Sequence, residues 1–397
     1  MYCDQVECLR WLGLDEATEN VRLIQNDKGF GIEAAKDLKK GTVIATISNS
    51  NIITYQKALQ SKLGQAIFST DGVTKEMLLW YYMCEEALNN GQFSAYLKSL
   101  KSSNSCLLIW EEDRLADLVG TNLLQHVTTT KEQLISKYQI LTKAYHNPKI
   151  TMELFLWVYN IYVSRRYPHH LCKDESLGNV DTKQIQEENM SNMGIMVPFL
   201  DLINHNGEKE WLLLTPTQEN LLIIINVEVK RGDEIYSNYG QILSNEKLLY
   251  TYGFAIPKNA HDYISVKLFN SNREFVSTFE IQRGGIAGCS TDLWKSLHEL
   301  YGDNSETSFE GEGSIIHVES CEILLEYIVN KYEQLLNQNP VAGECRSISR
   351  KSRSKSKKKQ KVDEDTRRAY IKYFIEGQLE IMEDLLTDLN NIVDESE

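Results

Sequence analysis

At 397 residues, 42% hydrophobic and 25% charged, the chain has enough length for two or three domains and the composition of a globular protein. It contains no run of about eighteen apolar residues that would mark a membrane span, and its acidic start, Met1-Tyr2-Cys3-Asp4-Gln5-Val6-Glu7, lacks the basic and apolar regions of a signal peptide, so cytosol or nucleus is the expected location. The formal charge is −14; residues 346–368 hold eleven Lys and Arg against three Asp and Glu, a local +8 that leaves −22 on the remainder, a body that repels phosphate backbones and suits a lysine-rich protein partner.

The elements follow from hydrophobic period. Residues 4–16 are predicted as a short amphipathic helix with Val6, Leu9, Trp11 and Leu12 near one side. Val21 to Ile24 reads as a strand, Asn26 to Gly29 as a turn, Gly31 to Ala34 as a second strand, and Leu38 to Ile47 as a turn and third strand. Residues 56–166 turn helical: Met77 to Leu88, Lys131 to Tyr145 and Met152 to Arg165 carry apolar residues at three-to-four spacing. Residues 168–193 are polar and read as a loop. Strand patterns return over 194–270, clearest at Trp211 to Leu214, Leu221 to Ile225 and Tyr263 to Leu268. From 292 onward the pattern is helical, broken by Asn339-Pro340 and a basic run at 350–361, with a last helix over about 366–393. Two strand blocks separated by about a hundred helical residues predict an α+β chain: a small β fold split by a helical insertion and followed by a helical C-terminal domain.

The eight cysteines (Cys3, Cys8, Cys84, Cys106, Cys172, Cys289, Cys321 and Cys345) are scattered, with no CxxC or CxC pair. Zinc sites need ligands clustered at short spacing, so no metal is expected. The chemistry-bearing segments are Lys28-Gly29-Phe30-Gly31, a glycine turn whose backbone can approach a ligand closely; Ser164-Arg165 at a helix end, next to Arg166; Asp201-Leu202-Ile203-Asn204-His205; and Glu234-Ile235-Tyr236-Ser237-Asn238-Tyr239-Gly240, followed by Tyr252-Gly253-Phe254.

In this order the motifs resemble the SET domain of the enzymes related to the plant Rubisco large-subunit methyltransferase, a group that includes fungal methyltransferases for ribosomal proteins and elongation factor 1-alpha. The resemblance covers roughly residues 1–270 and continues more loosely into the tail. It implies an S-adenosylmethionine-dependent protein-lysine N-methyltransferase, and it divides the chain into 1–55 (N-terminal helix and first part of SET), 56–185 (helical insertion), 186–270 (second part of SET) and 271–397 (helical substrate-binding domain carrying the basic segment 346–368). By this resemblance Lys28, Gly29, Phe30 and Gly31 contact the cofactor's amino-acid end. Arg165 pairs with its carboxylate, Asn204 holds its amino group, the His205 backbone reads the adenine, and Phe254 packs near that base. Tyr252 matches the catalytic tyrosine, and Tyr239 lines the lysine channel as a second aromatic that also touches the cofactor. Asp201 is expected to be structural.

Many histone-directed relatives carry cysteine-rich zinc segments. Their lack here, with the acidic body, points to a non-histone substrate such as a ribosomal protein or elongation factor. A histidine acceptor, a histone lysine, and an inactive SET-fold reader or scaffold are the alternatives; a scaffold should have lost Asn204, His205 or the tyrosines. The basic run at 350–361 reads as a nuclear signal, an RNA-contact tail or a solvated loop.

Overall fold

The computed structural model describes residues 2–14, 18–26, 29–100, 107–110, 112–173, 193–240, 242–302, 308–311, 314–342, 345 and 362–396. Lys28, most of the polar stretch at 168–193 and the run 350–361 lie outside these residues. The chain forms two compact units, residues 1–104 with 131–241 and residues 105–130 with 242–397.

Among the described residues of the first unit nine strands succeed one another: β1 Val21–Asn26, β2 Gly29–Ala34, β3 Val43–Ser48, β4 Arg166–Pro168, β5 Gly194–Met196, β6 Asn204–His205, β7 Leu212–Pro216, β8 Asn220–Ile225 and β9 Glu234–Ser237. They make three small sheets, ordered β1-β2-β9-β6, β3-β8-β7 and β4-β5. β2 meets β9 antiparallel, with Ile32 opposite Ile235. β6 runs parallel to β9, with Asn204 opposite Tyr236 and His205 opposite Ser237. Alternation explains the placement: Ile235 and Ser237 are buried, while Glu234 and Tyr236 stay half-buried on the other face. One apolar core holds these sheets, with Ile32, Ile47, Ile203, Ile223 and Ile235 almost wholly out of solvent. Each such side chain contributes about 1.5–3 kcal/mol on burial.

Two helices of this unit, Lys75–Leu88 and Met152–Arg165, are apolar on most sides and pack together through Trp80 against Phe155 and Tyr162, with ring centroids 6.2 and 6.1 Å apart. Each starts on a threonine cap: Thr74 accepts from the Met77 N–H, and Thr151 from the Leu154 N–H.

The second unit contains the helix Asn245–Tyr252, the antiparallel hairpin Tyr263–Phe269/Phe275–Gln282, the helix Thr291–Tyr301, a second hairpin Ser308–Gly311/Ser314–His317, and the long helices Val318–Gln338 and Val362–Asp394. Helix Asn245–Tyr252 is capped by Ser244 and ends at Gly253, whose φ of 77° is left-handed and whose N–H bonds the Leu248 and Leu249 carbonyls.

The α+β expectation holds, with four differences. The region after 270 is not wholly helical, because Phe275–Gln282 pairs with Tyr263–Phe269 and a second hairpin precedes His317. The first helix stops at Trp11 instead of running to 16, because Gly13 takes a φ of 75° and the Leu14 N–H turns back to the Leu9 carbonyl. The insertion at 56–185 is not one body: residues 105–130 pack with the C-terminal unit, whose boundary falls at 242 instead of 271. There Asn339 Nδ2 donates to the Asp117 and Val119 carbonyls at 2.9 Å each, and the Tyr250 hydroxyl meets Thr130 Oγ1 at 2.9 Å. The helix predicted from Lys131 begins at Asn122, started by Thr121, whose hydroxyl accepts from the Leu124 N–H.

Candidate active site

In the first unit, sheet pairing gathers the start of β2 at Gly29–Gly31, the strand Asn204–His205 and the strand Glu234–Ser237. Asn204 sits at the centre. Its Nδ2 donates to the Phe30 carbonyl at 3.1 Å and to Glu234 Oε1 at 2.6 Å. Glu234 Oε2 accepts from the Tyr236 hydroxyl at 3.1 Å. Both Asn204 partners are pure acceptors, so the orientation of the amide is fixed and Oδ1 is the acceptor it presents.

The two glycines differ in what they permit. Gly29 has a φ of 108°, a backbone conformation that disfavours any side chain. At Gly31 a Cβ would lie 2.6 Å from Glu234 Oε1 and 3.0 Å from Asn204 Nδ2. The space its missing side chain leaves is therefore taken up by the protein's own Asn204–Glu234 pair.

His205 and Tyr239 come together beside Asn204. His205 Nδ1 accepts from the Tyr239 N–H at 3.1 Å, their rings lie 5.1 Å apart, and the Tyr239 hydroxyl donates to the Ile203 carbonyl at 3.0 Å. An Nδ1 that accepts belongs to the neutral imidazole with its proton on Nε2. Burial lowers the His205 pKa from its ordinary 6.5, partly offset by a bond with the Ser237 backbone. The sign follows: the folded chain resists protonating His205, so this contribution to stability is complete above about 6.5 and is lost as pH falls through the lowered folded value. Melting curves between about pH 7.5 and about pH 5.5 should show a larger fall for the wild type than for His205→Gln, which does not titrate there. Equal falls would remove His205 from the acid response.

Upstream of Asn204 the chain is held by a buried charge. Arg165, at the end of its helix, donates through Nη1 to the Asp201 carbonyl at 2.6 Å and stands 3.7 Å from Asp201 Oδ2. The Tyr96 hydroxyl donates to the same Oδ2 at 2.8 Å, and the Tyr167 hydroxyl to the Leu200 carbonyl at 3.2 Å. Burial pushes the Asp201 carboxyl above its ordinary value, and Arg165 and Tyr96 pull it partly back. Just before this turn Phe199 is buried with φ 74° and ψ −48°, close to the strained γ-turn conformation, at a cost of about 1–3 kcal/mol. The Tyr96, Tyr167 and Arg165 bonds hold the strained turn Leu200–Leu202 that delivers Asn204.

Tyr252 and Phe254 belong to the second unit. Tyr252 is the last residue of its helix, its ring is 6.2 Å from Phe254, and Phe254 meets Tyr370 edge-on at 6.5 Å. Of the residues named from sequence, Gly29, Phe30, Gly31, Asn204, His205 and Tyr239 are neighbours, and Arg165 holds the approach to them through Asp201. Glu234 was not singled out, although its place two residues before Tyr236 on a strand puts both on one face. Tyr96 could not be found from sequence: it is 105 positions from Asp201.

A protein with this split β fold and this Asn-His strand beside a glycine turn falls in a recognised class: a sequence profile of the SET domain matches residues 29–240, and the chain belongs to the SET domain family. Among curated proteins it is similar to actin-histidine N-methyltransferase of Danio rerio, 24% identical over 279 residues (68% of this chain, 45% of that protein), and to actin-histidine N-methyltransferase of Homo sapiens, 22% identical over 309 residues (74% and 49%). The chain thus spans about half the length of the curated relatives it matches. Among solved structures it shares its fold with Rubisco LSMT bound to AdoMet, with a TM-score of 0.74 at 17% identity over 98% of this chain and 92% of that one. The SET domain of LSMT bound to lysine and AdoHcy gives 0.72 at 16% identity, with the same coverages.

Proposed function

We propose that this chain is an S-adenosylmethionine-dependent protein N-methyltransferase whose acceptor is a lysine of a non-histone protein. The observation that carries the reading is the cradle of Gly29, Phe30, Asn204 and Glu234. It presents the Asn204 amide oxygen, fixed in orientation by Phe30 and Glu234, as an acceptor that fits the ammonium of an amino-acid cofactor. When bound, that cofactor supplies an electrophilic methyl group on a sulfonium. The residues that would hold it are Gly29, Phe30, Gly31, Asn204 and the His205 backbone, with Arg165 toward its carboxylate by the family resemblance. Rubisco LSMT, whose fold this chain shares, was solved with AdoMet.

A lysine amine with an ordinary pKa near 10.4 is protonated at neutral pH and does not attack. By the family resemblance Tyr239 is proposed to line an apolar channel that desolvates the amine, favouring its neutral form, with the proton lost to water. By the same resemblance the Tyr252 hydroxyl then orients the lone pair, and alignment of this kind contributes about 7–11 kcal/mol in preorganised reactions. A ribosomal protein or elongation factor is the proposed substrate, because the acidic body suits a lysine-rich surface. Such a substrate places the protein in the cytosol, with entry to the nucleus depending on the basic run.

A histidine acceptor is the second reading, favoured by the name of the curated relatives. A neutral imidazole is nucleophilic near pH 7 without losing a proton. Labelled S-adenosylmethionine, ribosomes and cytosolic extract from cells lacking the gene decide between them. The reading expects one labelled band, a modified lysine by peptide mass spectrometry, and a roughly 10²-fold slower reaction with Tyr252→Phe. A modified histidine establishes the second reading. No label in any fraction sinks both.

A further inference from the structure

We infer that Glu234 is a positioning residue for recognition of the cofactor's amino group, acting through Asn204; this rests on the cofactor reading of the site. A side-chain amide can turn over and exchange its donor for its acceptor. Here the turn is blocked by two acceptors together, the Phe30 carbonyl at 3.1 Å and Glu234 Oε1 at 2.6 Å, against which a reversed Oδ1 would sit oxygen to oxygen. The carbonyl alone gives one neutral bond. The carboxylate adds a charge-assisted bond, roughly twice as strong.

Glu234 is in turn held by the Tyr236 hydroxyl on Oε2 and by its strand, hydrogen-bonded on one side to β2 and on the other to β6. Gly31 completes the arrangement, because any Cβ there would press on Glu234 Oε1 and Asn204 Nδ2. Asn204 Oδ1 therefore meets a donor already oriented, and binding does not have to select one of two amide states.

The test is calorimetric titration of S-adenosylhomocysteine into the full chain and its variants. Glu234→Gln keeps an acceptor for Nδ2 and should bind within about twofold of the wild type. Glu234→Leu removes the acceptor and should bind about tenfold more weakly. On an Asn204→Ala background the same Leu change should add nothing, because the residue it acts through is gone. If Glu234→Leu fails to fold, Glu234→Asp carries the test: its carboxylate is withdrawn by one methylene, and the same tenfold loss is expected. Three results overturn the inference: wild-type affinity in the Leu or Asp variant, a Gln variant as weak as Leu, or an undiminished Leu effect without Asn204. A wild type that does not bind S-adenosylhomocysteine overturns the functional reading itself, and the inference with it.

Discussion

Asn204→Ala is expected to reduce methyl transfer by at least about 10²-fold, with S-adenosylhomocysteine affinity falling by a similar factor, about 2.7 kcal/mol. The residue is the junction of three elements. Its amide joins the Phe30 carbonyl of β2 to the Glu234 carboxylate of β9, and its remaining oxygen is the acceptor the cradle presents. The folding penalty should be small by comparison. Asn204 is half-buried, so water can replace its amide at both acceptors, and the net loss is about 1 kcal/mol. The split between binding and stability is the informative result. A variant that melts like the wild type and binds nothing places Asn204 in ligand recognition. A variant that binds normally removes it from that role.

Arg165→Met carries the largest expected effect on stability, about 3 kcal/mol at neutral pH. The Asp201 side chain is 1% exposed and that of Arg165 25%. Removing one member of a buried pair leaves the other charge uncompensated, at about 3–5 kcal/mol. The ceiling here is set by protonation: neutralising an ordinary carboxyl at pH 7 costs about 4 kcal/mol. Burial already raises the Asp201 pKa, and loss of Arg165 raises it further. A carboxyl whose folded pKa lies above its unfolded value destabilises the fold above that folded value, and the loss is recovered as pH falls through it. The variant's deficit in urea denaturation should therefore shrink between about pH 7 and about pH 5. Asp201→Asn, which keeps an acceptor for Tyr96 without the charge, should cost far less than Arg165→Met. A pH-independent deficit would mean that Arg165 stabilises by packing alone.

Much of the β fold could be read from sequence because period and punctuation agree there. Val21 to Ala34 alternates around a short turn, and both strands form as expected. Leu221 to Ile225 is an apolar run ending in three β-branched isoleucines, and it lies between two partners at the centre of its sheet. What escaped was set by pairing across long separations. The hairpin strand Phe275–Gln282 is mostly exposed, with Phe275 60% accessible, and its inward face holds Ser277, Phe279 and Ile281, of which only Ile281 is fully buried, so its apolar alternation is weak. The union of 105–130 with the C-terminal unit depends on side chains such as Asn339, more than two hundred positions away. The site divides in the same way. Asn204, His205 and Gly31 announce themselves as motifs, whereas Tyr96 and Glu234 gain meaning only once the sheet brings them to Asp201 and Asn204. The sequence reading of Gly31 as room for a ligand also changes, because the protein's own carboxylate takes up that space.

The most direct test is an equilibrium titration of S-adenosylhomocysteine into the purified wild-type chain. The account predicts saturable binding at one site per chain, weakened about 10²-fold by Asn204→Ala. Absence of binding by a folded wild-type protein would contradict it.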